Sequence, residues 1–173
     1  MNGDHVKVDV SELKRFSEKL RMAADGGLRR DFLTFLEASG FELLRIIQDE
    51  VIRTKAVDTR LLLNSFHKGN ENNIYSLSEG DVTLEIGTNL EYAKWVNDGH
   101  WLNPQGVSER FVPGVWNADG KFRYVPKAKT GMLLRQKFVP GKHFMEHSVK
   151  IMEKLFPKMV ESWLDKWLDN LLG

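Results

Sequence analysis

The hydrophobic side chains of this chain repeat with a helical period towards both ends and with a period of two in between. From about Leu28 to Ile52, apolar residues fall three or four positions apart and trace one face, which predicts a long amphipathic helix. Between about Ile74 and Ile86, apolar and polar residues alternate, as in strands that are buried on one face only. The chain must therefore combine long helices with a short sheet.

Local signals divide these stretches into separate elements. Asp9, three residues before Glu12, predicts a capping box that begins a first helix, and Asp25-Gly26-Gly27 predicts its end. Ser78-Glu79-Gly80-Asp81 has the composition of a tight turn, so the strands on its two sides should pair as an antiparallel hairpin. A short helix is predicted from Glu91 to Asn97.

The last stretch, from about Phe144 to Leu172, has a broad apolar face at helical spacing. Pro157 lies inside it, and proline removes one helical hydrogen bond and clashes with the preceding turn. We expect either a kink near Phe156 or two helices, the second beginning at Pro157. The polar side mixes acidic and basic residues, so this face is predicted to pack on protein and not on a membrane surface.

Residues 101–141 are rich in glycine and proline and are predicted to form a long, projecting hairpin around the turn Asn117–Gly120. Irregular stretches of this length are usually functional or disordered. Tryptophan and tyrosine are favoured in protein interfaces. We therefore predict that the aromatic side chains of this hairpin form an interface: Trp101, Phe111, Trp116, Phe122, Tyr124 and Phe138.

These elements together predict an α+β fold, because the helices are segregated from a small antiparallel sheet. The expected order is two N-terminal helices, a small twisted antiparallel sheet, the projecting hairpin and a C-terminal amphipathic helical segment. A length of 173 residues fits one domain, so we expect a single domain over residues 1–173.

Composition excludes several classes of function. Lys plus Arg number 25 against 24 Asp plus Glu, and this balance argues against direct recognition of nucleic acid. The chain has no cysteine, which excludes disulfides, thiolate metal sites and a cysteine nucleophile. Without a long apolar run or an apolar signal segment near Met1–Lys7, we expect synthesis in the cytoplasm and no membrane partner.

Three segments carry short motifs: residues 57–66 (VDTRLLLNSF), residues 86–99 (IGTNLEYAKWVNDG) and residues 140–145 (PGKHFM). Their side chains have structural roles in our interpretation. Asp58 and Thr59 offer oxygens for capping, Gly87 permits a sharp turn of the strand, and Asn89 is placed to cap the short helix. The motif residues that we expect to act as scaffold are Val57, Asp58, Thr59, Ser65, Gly87, Thr88, Tyr92, Ala93, Gly99 and Phe144.

In order and spacing, the three segments resemble the phage tail-component family typified by the tenth gene product of phage HK97. The chain differs from that family at Ala56 and Arg60, where proline and glycine are common. Arg60 makes a positive φ costly, so we expect a different local turn there. The resemblance implies a structural protein of the virion tail or neck that completes the tail or joins it to the head, made in the host cytoplasm and without a cofactor.

The resemblance also implies partners. These are copies of the chain itself in a ring, with six as the number considered, and proteins of the tail tube, the tail terminator or the head connector. A closed ring needs one patch that meets a different patch on the neighbour, and the projecting hairpin is our candidate for one of them. One alternative is a tail-terminator ring that caps the tube.

A second alternative is a zinc-dependent hydrolase. His143 and His147 are the first and last residues of a His-x-x-Glu-His pattern, which can place two imidazoles on one helical face. A third ligand is needed, and Glu153 and Glu161 lie on the same helical segment, so one helix cannot easily surround the ion. We therefore predict that the protein is not an enzyme.

Overall fold

A computed structural model describes residues 11–56 and 60–172. The α+β fold class is confirmed. Asp9 and the segment Val57–Thr59 lie outside the described residues. The helices are α1 (Ser11–Met22), α2 (Leu28–Arg53), α3 (Leu61–Asn64), α4 (Glu91–Asp98) and α5 (Phe144–Leu172). The strands are β1 (Asn73–Ser78), β2 (Thr83–Thr88), β3 (Gly99–Trp101), β4 (Glu109–Trp116), β5 (Phe122–Tyr124), β6 (Gly131–Arg135) and β7 (Phe138–Pro140).

The break between α1 and α2 falls where the glycines predicted it. Gly26 has φ of 96°, a conformation that interrupts a helix and that glycine adopts without strain. The second helix then runs for 26 residues, within one residue of the predicted end. The local sequence was therefore sufficient to place both helices.

The β1–β2 hairpin packs on α2 at Gly40. The two strands pair antiparallel from Asn73↔Thr88 to Ser78↔Thr83, which confirms the predicted hairpin. A Cβ atom at Gly40 would lie 2.7 Å from the Tyr75 hydroxyl oxygen and would meet the side chain of Leu84. The Tyr75 hydroxyl donates to the main-chain oxygen of Glu37 at 2.7 Å. Gly40 therefore lets the sheet approach the helix closely, which explains a glycine inside α2.

The core lies where the second half of α2 meets α3, α4 and the beginning of α5. Each fully buried aliphatic or aromatic side chain contributes about 1.5–3 kcal/mol by leaving water. Phe66 and Phe144 meet edge to face, with ring centroids 6.0 Å apart. The buried members of this core are Leu44, Ile47, Val51, Leu62, Phe66, Ala93 and Phe144.

Helix α5 is continuous for 29 residues with Pro157 inside it, so the two-helix alternative is wrong. Pro157 is exposed, and a backbone carbonyl released there can bind water. Aromatic contacts hold α5 on α2 at both sides of the proline. Phe35 lies 5.9 Å from Phe156 and stacks on Trp163 at 5.3 Å between ring centroids. Within the described residues, no helix has the length and apolar character needed to cross a membrane.

Residues 101–141 are more regular than a hairpin with loose ends. The turn Asn117–Gly120 does join β4 to β5, as predicted. However, β4 is the central strand of a three-stranded sheet in the order β5-β4-β6, and a separate β3–β7 ladder lies at its base. Strand β5 covers only the last three residues of β4, from Gly114 to Trp116. The first five residues of β4 are left for β6, which a local sequence pattern does not reveal.

Candidate assembly surface

Five of the six aromatic residues predicted to form an interface are exposed. Trp101, Phe111, Trp116, Tyr124 and Phe138 have between 43% and 60% of their surface accessible. Phe122 is half-buried. Exposed large apolar side chains are ordinary when scattered singly, but clustered ones mark interaction sites. Strand register therefore decides which of these side chains share a surface.

The strand register distributes these aromatic residues over three places. Directly opposed residues of an antiparallel pair point to the same face. Trp116 opposes Phe122, so both rings lie on one face of the sheet, and Tyr124, which opposes Gly114, shares that face. Phe111 opposes the exposed Leu133 on the other face. The prediction of a single hairpin surface thus becomes two opposite sheet faces and a pair at the base.

The aromatic pair at the base of the sheet consists of Trp101 and Phe138, on the β3–β7 ladder. These residues oppose each other, and their ring centroids are 5.3 Å apart in an edge arrangement. Trp116 and Phe122 have the same 5.3 Å separation at the far end of β4. Such aromatic pairs add about 0.5–1.5 kcal/mol beyond their burial. They stiffen the strands that carry the exposed rings.

Two glycines accommodate aromatic rings on the sheet. A Cβ atom at Gly114 would meet the ring of Phe122, and one at Gly131 would lie 2.6 Å from the ring of Phe111. Aromatic rings that cover strand glycines compensate for the missing side chain. The rings of Phe111 and Phe122 therefore pack over the backbone of strand glycines, while Trp116 and Tyr124 expose most of their surface to solvent.

A buried polar joint connects the β3–β7 ladder to the three-stranded sheet. Asn103, 3% exposed, donates from Nδ2 to the main-chain oxygen of Leu134 at 2.8 Å. Its backbone N–H donates to Gln136 Oε1 at 3.0 Å, and Gln136 Nε2 donates back to its carbonyl at 3.2 Å. Local sequence does not predict these hydrogen bonds, because the partners of Asn103 are 31 and 33 residues away.

A second polar joint links α4 to α5 through Asn97. Its Oδ1 accepts from the backbone N–H of Met145 at 3.0 Å, and its Nδ2 donates to Glu146 Oε1 at 3.0 Å. The backbone N–H groups of Lys142 and His143 donate to the carbonyls of Val96 and Asn97. Helix ends leave such groups without partners inside the helix. The polar groups at the end of α4 and those at the beginning of α5 therefore serve as hydrogen-bond partners for each other.

Several scaffold residues of the motifs lie at this junction. Gly99 has φ of 84°, and a Cβ atom there would lie 2.6 Å from the main-chain oxygen of Val139. Ser65 is fully buried and donates from Oγ to the Leu62 carbonyl at 2.8 Å. Buried Ala93 and Phe144 belong to the core, and half-buried Tyr92 packs against it.

Two local roles predicted for motif residues are wrong. Gly87 lies within the regular β2 strand opposite Ile74, and a Cβ atom there would have ordinary contacts, so it makes no sharp turn. Asn89 does not cap α4; instead the Thr88 hydroxyl accepts from the backbone N–H of Leu90 at 3.3 Å. The Asn89 side-chain amide instead donates to the main-chain oxygen of Glu71 at 3.4 Å, and Glu71 does not belong to α4.

The turn before α3 keeps a positive φ in spite of its side chain. Arg60 has φ of 62°, in the left-handed region that glycine adopts more easily. The expected difference in the local turn is therefore wrong at this residue. The neighbouring Val57, Asp58 and Thr59 lie outside the described residues, so their capping stays a prediction.

In the described part of the chain, His143 and His147 each lie near a different glutamate, and the two do not share a third possible metal ligand. His143 Nδ1 is 3.9 Å from Glu146 Oε1. His147 Nδ1 lies 3.3 Å from Glu50 Oε2, on α2. Among the residues that the structure describes, no group of three or more histidine or carboxylate side chains is arranged to hold a metal ion. The geometry therefore does not favour a zinc centre at this place.

Glu50 is a buried carboxylate with a structural partner. Its two oxygens accept from Arg53 at 2.6 and 2.8 Å. These hydrogen bonds hold the pKa of the Glu50 carboxyl below its usual value, and Coulomb attraction to the same guanidinium and to His147 acts in the same direction. The cluster ties α2 to the beginning of α5 and keeps the carboxylate ionised.

An apolar cleft of about 290 Å³ opens beside the core. It lies between the end of β2, α4 and the first residues of α5, and motif residues form much of its wall. Lys94 and Asp98 stand at its edge, while its lining includes Phe66, Gly87, Thr88, Ala93 and Phe144. Among the described residues, members of all three motif segments therefore line one apolar junction.

Comparisons with known proteins agree with the motifs. The family described as "Bacteriophage HK97-gp10, putative tail-component" matches residues 14–99. The uncharacterized protein YqbI of Bacillus subtilis (strain 168) is 47% identical over 150 residues, which cover 85% of this chain and 89% of that protein. The phage-like element PBSX protein XkdI of the same organism is 42% identical over 147 residues, with the same two coverages. None of the solved structures matches the chain.

The family match includes the first two motif segments, and the two relatives extend the similarity over most of the chain. The identities are well above the level at which a shared fold and family can be assigned, and the α+β architecture agrees. The protein is therefore a phage structural protein that belongs to the tail-component family of HK97 gp10.

Proposed function

We propose that this protein completes the phage tail or joins it to the head, and that it does so as a ring held by protein–protein contacts. The observation that carries the proposal is the set of exposed aromatic side chains on the ordered strands of residues 101–141. We use the name aromatic sheet for the strands β4, β5 and β6 with the exposed rings that they carry, those of Phe111, Trp116 and Tyr124. Family membership and the name of the PBSX relative support a place in a phage particle.

The aromatic sheet has the properties of an interface. In the described part of the chain its strands make their main contacts with one another, and exposed side chains lie on both faces. Trp116 and Tyr124 are each 60% exposed, although the strand ladder holds them in fixed positions. Rigid aromatic side chains lose little conformational entropy on binding and dominate interface energetics. A mechanical role explains this exposure better than a role in folding does.

A ring places a specific demand on the chain. Closed rings with more than two copies use a heterologous contact, in which one patch of each copy meets a different patch on the next. The aromatic sheet is one such patch in this proposal. The remaining surfaces then contact the tail tube, the tail terminator or the head connector, and the assembled protein resides in the tail or neck of the virion.

A double substitution of exposed rings tests the role of the aromatic sheet. Trp116→Ala with Tyr124→Ala should weaken assembly by about 2 kcal/mol or more, which is roughly thirtyfold in the dissociation constant. Trp95→Ala is the matched control, since Trp95 is 57% exposed but lies on α4. Association is measured by sedimentation velocity, and the monomer fold by circular dichroism. Equal effects of the double variant and the control on association would refute the proposal.

Identifying the neighbours separates joining from termination. In assembled particles, a photo-reactive amino acid at Trp116 should cross-link to a copy of the chain, and one at Trp101, on β3 outside the aromatic sheet, should cross-link to a head-connector protein. Cross-links to the tail tube with none to head proteins would instead identify a tail-terminator ring.

A further inference from the structure

Formal charge is distributed very unevenly between the two sheet regions of the chain. The whole chain has a net charge of +1. Residues 101–142 contain eight lysines and arginines against only two acidic residues, Glu109 and Asp119, and so carry +6. Residues 69–93 contain five acidic residues and no lysine or arginine, and so carry −5. The remaining residues balance, so the charge separation lies between residues 101–142, which include the three-stranded sheet, and residues 69–93, which include the β1–β2 hairpin.

The basic side chains of residues 101–142 are exposed. In the described part of the chain, only Arg135 among them forms an ion pair, with Glu109 at 3.2 Å. Lys121, Arg123 and Lys129 lie on β5 and in the loops on its two sides, next to the exposed rings. Basic groups that surround rigid aromatic side chains suit an acidic protein surface as a partner. The charges then steer that partner electrostatically to the same place where the aromatic rings pack against it.

Three of the acidic side chains belong to the β1–β2 hairpin: Glu79 and Asp81 lie in its turn and Glu85 lies on β2. Glu71 precedes β1, and Glu91 begins α4. Tyr75 and Leu84 occupy the face that packs on α2 at Gly40, so the alternate residues face away from the body. Ser76 and Glu85 oppose each other on that outer face. The five acidic residues, all exposed, are Glu71, Glu79, Asp81, Glu85 and Glu91.

The hairpin turn is held in a fixed position. Arg29 donates from its guanidinium to the main-chain oxygens of Glu79 and, at 2.7 Å, of Gly80. These bonds use backbone oxygens, so they leave the carboxylate of Glu79 at the surface. The hairpin therefore presents an acidic surface in a fixed position, formed by Glu79 and Asp81 in the turn and by Glu85 on the outer strand face.

We propose that the basic aromatic sheet of one copy docks on the acidic β1–β2 hairpin of the next copy around the ring. This inference rests on the proposed ring assembly and names its two complementary patches. The charges of +6 and −5 nearly cancel when each copy gives one patch and receives the other. Among the described residues, no ion pair joins the two patches within one chain, so both remain available to neighbours.

Charge reversal followed by charge exchange tests this docking. One variant carries Lys121→Glu, Arg123→Glu and Lys129→Glu, and a second carries Glu71→Lys, Glu79→Lys and Glu85→Lys. The six side chains make no hydrogen bond within the described residues, so the fold should persist. Each triple variant should weaken association by about tenfold or more, because like charges then face each other. A chain with all six changes restores opposite charges and should associate like the wild type.

The matched control reverses three exposed lysines on helices: Lys14→Glu, Lys150→Glu and Lys158→Glu. This control changes the net charge as much as the first variant does, yet it should leave association unchanged. Wild-type association should also weaken as salt rises from low to high ionic strength, since exposed charges are screened within about 10 Å at roughly 0.1 M salt.

The outcomes separate this inference from the proposed function. If substitution of the exposed rings abolishes association while the charge variants behave like the control, ring assembly stands and the acidic hairpin is not the partner. Loss of association in both triple variants without recovery in the six-residue exchange also overturns the inference. A wild type that fails to associate at high concentration and low salt would overturn both. Binding to a short DNA duplex that only the first variant loses, with association unaffected, would assign the basic sheet to nucleic acid.

Discussion

Replacement of Asn97 by alanine should destabilise the protein through the junction of α4 and α5. The side chain is 7% exposed, and its Oδ1 caps α5 by accepting from the backbone N–H of Met145. Alanine removes this acceptor and also the donor to Glu146. In the structure the Met145 N–H donates to Asn97 Oδ1, and alanine would leave this half-buried backbone group without that acceptor.

The expected loss follows from two contributions. Removal of a capping side chain costs about 1 kcal/mol, with a range of roughly 0.5–2 kcal/mol. Loss of the hydrogen bond from Asn97 Nδ2 to the exposed Glu146 carboxylate adds about 1–2 kcal/mol. We therefore expect the free energy of unfolding to fall by about 2–3 kcal/mol. For a chain of this size, the midpoint of thermal unfolding should fall by roughly 5–10 °C.

Urea denaturation followed by circular dichroism measures this effect. Asn89→Ala is the matched control, because the same residue type lies at the other end of α4 with only a 3.4 Å contact to the Glu71 carbonyl. The control should change the free energy of unfolding by less than about 0.5 kcal/mol. Equal losses in the two variants, or a larger loss at Asn89, would refute the assignment of the cap to Asn97.

Three other substitutions test separate features. Glu50→Gln should lower stability by about 1–2 kcal/mol near neutral pH. Because the pKa of Glu50 is lowered in the folded state, the ionised carboxylate stabilises the fold above its unfolded pKa of 4.5, and this stabilisation is lost as pH falls through the folded pKa. The variant should therefore lose less stability than the wild type on acidification. An equal loss of stability in acid would contradict this. Gly114→Ala should speed amide exchange throughout β4 and β5, because its Cβ would meet the ring of Phe122, whereas Gly80→Ala, with open space, should not. Phe35→Leu should cost about 1 kcal/mol in denaturation by losing its stack on Trp163; a neutral result would mean that α5 is held elsewhere.

The sequence was informative wherever a structure depends on neighbours within a few residues. Hydrophobic period placed α2 within one residue of its observed end, and turn composition placed the β1–β2 hairpin. Glycines marked the end of α1. The same local reasoning failed for Asn89 and Gly87, since a residue with suitable chemistry is not always in suitable geometry.

Contacts between distant residues were beyond that reasoning. The cap of α5 comes from Asn97, 48 residues earlier in the chain, and the buried partners of Asn103 lie 31 and 33 residues away. The central position of β4 likewise depends on the return of β6 to its free half. None of these leaves a periodic pattern, because an isolated asparagine or a short strand is compatible with many arrangements.

The amino-acid sequence alone determined the fold class and the family and drew attention to the aromatic side chains of residues 101–141, because each depends on period, local spacing or residue type. Only the tertiary structure decided that these rings lie on two opposite faces of a three-stranded sheet and that the basic and acidic patches belong to different sheets. Strand register and long-range pairing control those positions. They result from burial of the whole core, to which every segment contributes at once.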